Sequence, residues 1–97
     1  MRFEYATRFG KSLHRRSPQD RIKAAEAIEQ IIRYVETRQA PEGLGLKELF
    51  SREGLGAVFE ARATIALRVL FVVQQDAVTF LMVGGHDEVR RFIREFQ

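Results

Sequence analysis

Hydrophobic and polar positions change period several times along the chain, and each change predicts an element. Arg2 to Ala6 alternates, with Phe3 and Tyr5 on one side, which predicts a short first strand. From Thr7 to Arg16 the period lengthens. Phe9 and Leu13 stand four apart, opposite Arg8, Lys11, Arg15 and Arg16, as on a short helix, although Gly10 weakens it by roughly 1 kcal/mol relative to alanine. Ser17 then offers an N-cap, Pro18 suits the first helical position, and Asp20 takes the acid's place in a capping box. Ile22, Ala25, Ile28, Ile32 and Val35 recur every three or four residues. They predict a second helix that ends near Arg38–Ala40, ahead of Pro41 and Gly43.

Glu42 to Gly56 reads as a packed loop anchored by Leu44, Leu46 and Leu49. Three strand-like runs follow: Ala57–Ala61, Ile65–Val73 and Ala77–Val83. The middle run is apolar on both faces, as in a central strand, and the polar Gln74-Gln75-Asp76 joins the last two as a hairpin. After Gly84-Gly85 a final helix is predicted. Asp87 and Glu88 lie in its first turn, Val89, Phe92, Ile93 and Phe96 on one side, and Arg90, Arg91 and Arg94 toward its end. The order β-α-α-β-β-β-α predicts an α+β fold. It should hold a small four-stranded, mainly antiparallel sheet, with helices packed on one face and the first strand beside the last. Residues 1–97 are expected to form one domain.

Composition narrows the class. With 45% apolar residues, ten of them aromatic, the chain can build a core, though a small one. It has no cysteine, which excludes disulfides and thiolate metal sites. No run of about 20 apolar residues and no apolar leader is present, so a cytoplasmic protein with no membrane partner is expected. The net charge of +3 is concentrated at the start, where residues 1–17 carry five cations against Glu4 alone. Thirteen arginines against three lysines suit bidentate phosphate or carboxylate contacts. His14 and His86 are the only histidines, without carboxylates at metal-site spacing, and there is no phosphate loop or nucleophile elbow. Neither a metal nor a small-molecule cofactor is expected.

Strand periodicity decides which polar groups converge. Glu60 and Arg62 share a face with Val58, and Arg68 shares one with Leu70 and Val72. A tight turn near Ile65 would set Arg62 across from Arg68. Arg68 interrupts an apolar strand, where an unpaired charge is costly, so its head group must reach an acid, water or an anionic ligand. His86 puts a titratable ring where the last strand gives way to a helix.

Four segments together carry a resemblance: Leu46-Lys47-Glu48-Leu49, Phe59-Glu60-Ala61-Arg62, Leu67-Arg68-Val69-Leu70-Phe71, and Val83-Gly84-Gly85-His86-Asp87-Glu88-Val89. In this order and spacing the chain resembles the RelE/ParE toxin superfamily, and the last segment looks most like its RelE-type branch of ribosome-dependent, mRNA-cleaving toxins. The resemblance implies the toxin of a toxin–antitoxin system, restrained by a cognate antitoxin and acting on the ribosome and mRNA. It implies an endoribonuclease, in which a ribose 2′-hydroxyl attacks the adjacent phosphate without a metal. Arg68 would contact the scissile phosphate, Arg62 that phosphate or the next, and His86 would be the general acid. Phe92 would stack on a base, Lys47 would contact base or phosphate, and Lys11, Arg15 and Arg16 would face ribosomal RNA. Some members carry lysines where this chain has Val58 and Glu60, so the general base stays open between Glu60 and Lys47. Two alternatives share the fold: a ParE-like toxin that inhibits DNA gyrase by protein contact, and a nuclease-inactive relative that binds its antitoxin.

Overall fold

The structure, a computed structural model, describes residues 1–96; the side chain of Phe96, expected on the last apolar stripe, lies outside the described residues. In chain order the elements are β1 (Arg2–Tyr5), α1 (Thr7–His14), α2 (Pro18–Thr37), β2 (Lys47–Arg52), β3 (Gly56–Arg62), β4 (Arg68–Val73), β5 (Ala77–Gly84) and α3 (His86–Phe96), with a 3-10 turn at Glu42–Leu44. The sheet order is β1-β5-β4-β3-β2. β1 lies beside the last strand as expected and runs parallel to it, while the other neighbours are antiparallel.

The sheet has five strands where four were expected, because β2 occupies part of the segment read as a loop. A bulge between Glu48 and Phe50 explains why it was hidden. The extra residue sets Leu49 and Phe50 side by side in sequence, which erases the two-residue alternation that marks a strand.

The N-terminus of α2 follows its sequence signals: the Ser17 hydroxyl accepts a hydrogen bond from the Asp20 amide at 3.1 Å. Its buried face is rolled from the expected stripe. Ala24, Ala27, Ile28 and Ile31 are buried, whereas Ala25 is exposed and Ile22 is 60% exposed. Two alanines at the contact let the helix axis approach the sheet closely, and that close approach selects the roll. Beneath α1 and α2 an aromatic row crosses four strands. Tyr5 stacks on Phe80 at 5.0 Å, Phe80 meets Phe71 at 6.0 Å, and Phe71 stacks on Phe59 at 5.4 Å. Each such pair contributes about 0.5–1.5 kcal/mol beyond its buried area.

The helices were expected on one face; they occupy both. α1 and α2 cover Val69, Phe71, Val78 and Phe80, while Val89, Phe92 and Ile93 of α3 pack against Val58, Leu70, Val72, Leu81 and Met82 on the other side. Both faces of β4 are apolar and so both need cover. A second bulge helps: Leu70 pairs with Met82 but Phe71 with Phe80, leaving Leu81 over, so Leu81 and Met82 both face α3. No helix among the described residues is long and apolar enough to cross a membrane.

Ser12 fastens α1 to β5. Its buried hydroxyl donates to the Phe9 carbonyl at 2.9 Å and accepts from the Val83 amide at 3.0 Å. Ser12→Ala leaves that amide without its partner and is expected to lower folding stability by about 1–3 kcal/mol. Chemical denaturation of the variant checks this; an unchanged midpoint would show that the bond is dispensable.

Candidate active site

Register brings the sheet's polar side chains into one row. Lys47 pairs with Glu60, Glu60 with Leu70, Arg62 with Arg68, and Arg68 with Gly84. Directly paired residues share a face, so Lys47, Glu60, Arg62 and Arg68 all stand on the side that carries α3. The expected pairing of the two arginines is present, across the turn that contains Ile65.

Arg68 has found its partners. Nη1 donates to the carbonyls of Thr64 at 3.0 Å and Ile65 at 2.8 Å, and Nε lies 3.8 Å from Glu60 Oε2. The last distance is an ion pair rather than a hydrogen bond. Arg68 and Glu60 are largely buried, with side-chain exposures of 15% and 17%. Arg68 thus clamps the β3–β4 turn from inside while holding a cation beside Glu60. Arg62 is exposed and lies along Gly45, where an added Cβ would come within 3.4 Å of its Cζ and Nε. Gly45 has φ 55°, so its left-handed backbone and its closeness to Arg62 both favour glycine. Lys47 is exposed across the strand from Glu60.

His86 opens α3 two residues beyond Gly84, the partner of Arg68. Its ring is exposed, and among the described residues nothing hydrogen-bonds to it. The backbone before it is tightly set. A Cβ on Gly84 would meet Met82 Cε at 2.9 Å and Glu88 Cβ at 3.0 Å, and one on Gly85 would lie 3.7 Å from the Ala66 carbonyl of the β3–β4 turn. Gly84→Ala forces those side chains apart and is expected to cost about 1–3 kcal/mol. Thermal unfolding measures that cost; a variant as stable as the parent would mean the strand end yields freely.

The remaining candidates lie elsewhere. Phe92 faces α1, with the Arg8 guanidinium 4.9 Å above its ring, in a groove also lined by Ser12, Arg15 and Arg91. It does not join the row on β2–β4. Lys11 on α1 and Arg15, which caps its C-terminal end, are exposed beside Arg8 and Thr7. Arg16 is engaged within the fold: it contacts Asp20 at 3.0 Å and Glu88 at 3.1 Å. Neither the Arg16–Glu88 contact nor the cover that Arg8 provides over Phe92 has a signal in the sequence, since both depend on how α1 and α3 meet. Among the described residues no cluster of three His, Cys, Asp or Glu could hold a metal ion.

No protein-family model and no curated protein matches this sequence. Solved structures match its fold. The toxin–antitoxin DinJ–YafQ complex of E. coli superposes with a TM-score of 0.67 at 18% identity, over 92% of this chain and 98% of the other. The archaeal RelE–RelB complex of Pyrococcus horikoshii gives 0.65 at 17%, over 87% and 92%. A metal-bound toxin from Helicobacter pylori gives 0.65 at 16%, over 92% and 98%. The chain has the fold of RelE- and YafQ-type toxins.

Proposed function

We propose that this chain, built on the fold of RelE- and YafQ-type toxins, is the toxin of a toxin–antitoxin pair and cleaves mRNA on the ribosome. The observation that carries the reading is the convergence of Glu60, Arg62 and Arg68 on one sheet face, next to the strand end that presents His86. A phosphodiester cut by its own ribose needs a base, an acid and cations around the phosphorus. Glu60 serves as the base: its carboxylate accepts the 2′-hydroxyl proton, whereas the ammonium of Lys47 has no lone pair to do so. The oxygen attacks phosphorus to form a 2′,3′-cyclic phosphate while the bond to the 5′-oxygen breaks. His86 donates the proton that leaves a 5′-hydroxyl. Arg68 and Arg62 balance the charge that grows on the phosphoryl oxygens, and Lys47 holds the strand alongside. Lys11 on α1 and Arg15 at its C-terminal end meet ribosomal RNA through backbone phosphates. Phe92 supports α3 rather than stacking on a base. A cognate antitoxin restrains the protein in the cytoplasm.

Induction in cells tests this, with mRNA 5′ ends mapped before and after. Growth arrest accompanied by new 5′ ends in translated messages supports the reading; arrest with intact mRNA refutes it. One observation favours a second reading. The Thr64 and Ile65 carbonyls already hold Arg68 Nη1. An arginine committed to the fold suits a toxin that acts by protein contact alone, as a ParE-like gyrase inhibitor or a nuclease-inactive antitoxin binder does. Blocked gyrase with intact mRNA would select it.

A further inference from the structure

His86 is the first residue of a helix, with its ring in solvent and, among the described residues, no hydrogen bond to fix it. A proton donor held that way is only as well placed as the backbone beneath it. That backbone is held from one side by a chain of polar contacts. Asp20 Oδ2 takes Arg16 Nε at 3.1 Å and Nη2 at 3.0 Å, so the guanidinium is gripped by two nitrogens. Arg16 Nη1 reaches Glu88 Oε1 at 3.1 Å, and the same oxygen accepts from the Gly85 amide at 2.9 Å. Gly85 is the residue before His86. The relay thus joins the junction of α1 and α2 to the Gly84–Gly85 peptide, one residue ahead of the histidine.

The close approach at Gly84 is an independent sign that Glu88 belongs there. Glu88 Cβ lies 3.0 Å from where a Cβ on Gly84 would be, so this pose requires a strand end without a side chain. The contacts are only partly shielded, with side-chain exposures of 26% for Arg16, 30% for Asp20 and 39% for Glu88. Ion pairs so exposed contribute little to folding, so their consequence is sought in geometry.

We infer that Glu88 and Arg16 are positioning residues for His86, with Asp20 as their anchor: the relay holds the Gly85 amide and so fixes the start of α3 against the β3–β4 turn. This rests on the reading of His86 as the general acid. It also gives Arg16 a role other than contact with RNA. Misplacing a reacting group by about an ångström can slow chemistry about 100-fold, while distant binding contacts stay intact. Glu88→Ala and Arg16→Met therefore lower kcat about 10- to 100-fold with KM nearly unchanged. Glu88→Gln, which keeps an acceptor for Gly85, restores part of the rate. In the Glu88→Ala background Arg16→Met has no further effect, since the relay is already broken.

The test combines single-turnover cleavage of ribosome-bound mRNA with amide hydrogen exchange of the full chain. Expected are the kcat loss, the non-additivity, and faster exchange at Gly85 in Glu88→Ala with the sheet amides unchanged. A lowered unfolding midpoint with unaltered kcat would reduce the relay to a structural tie and overturn the proposal. A rise in KM alone for Arg16→Met would also overturn it, assigning Arg16 to RNA. Should the wild-type protein cut no RNA, the nuclease reading falls. Exchange at Gly85 then decides the clamp alone: protection lost in Glu88→Ala upholds it, and protection unchanged refutes it.

Discussion

Arg68→Ala is expected to reduce mRNA cleavage about 100- to 1,000-fold, the usual consequence of removing one group that stabilises charge in the transition state. The same substitution is expected to lower stability by about 1–3 kcal/mol, because Nη1 no longer ties the Thr64 and Ile65 carbonyls. The two effects must be separated. Arg68→Lys keeps a charge beside Glu60 but lacks the planar fork that serves carbonyls and phosphate together. It should recover part of the stability and little of the activity. Single-turnover rates well below each variant's unfolding midpoint separate the effects: a rate that returns to wild type there would make Arg68 a turn clamp only.

His86→Ala is the second large effect, about 100- to 10,000-fold in rate. Stability should move by no more than about 0.5 kcal/mol, since the ring is exposed and makes no hydrogen bond among the described residues. The loss should depend on the leaving group. A message with sulfur replacing the 5′-bridging oxygen at the cut leaves as a thiolate, which needs no proton. His86→Ala should cleave that substrate almost as fast as wild type does. Equal slowing on oxygen and sulfur substrates would place His86 in binding instead.

The parts of the fold legible in the sequence are those set by local chemistry. Ser17, Pro18 and Asp20 mark the start of α2, and Gln74-Gln75-Asp76 mark a hairpin, because caps and turns act over a few residues. The facing of Arg62 and Arg68 was also legible, since strand parity and a short turn leave few registers. Bulges defeated the rest. The one at Leu49 hid β2, and the one at Leu81 turned Met82 toward α3, neither being marked by a glycine. Which face α3 would cover was hinted by the apolar positions on both sides of β4, yet its roll depends on Phe92 meeting Arg8. Ile22 fits the stripe of α2 but stays in solvent, because Ala24 and Ala27 make the closer contact. Glu88 looked like an ordinary first-turn acid; only its neighbours in space, Arg16 and the Gly85 amide, distinguish it.

These positions also explain how few residues bear the proposed chemistry. Arg68 and Glu60 are shielded beside α3, while Arg62, Lys47 and His86 stand around them in solvent. Such a face is open enough for a single strand of RNA and too sparse to hold one firmly unaided. The ribosome would supply the alignment, so free RNA is expected to be a poor substrate.

The most direct measurement adds the purified protein to translating ribosomes and determines the chemistry of the ends it creates on the message. Cuts that leave a 2′,3′-cyclic phosphate on one fragment and a 5′-hydroxyl on the other are expected with the wild type and not with Arg68→Ala. Intact message in the presence of folded wild-type protein, or 5′-phosphate ends, would contradict the proposed cleavage.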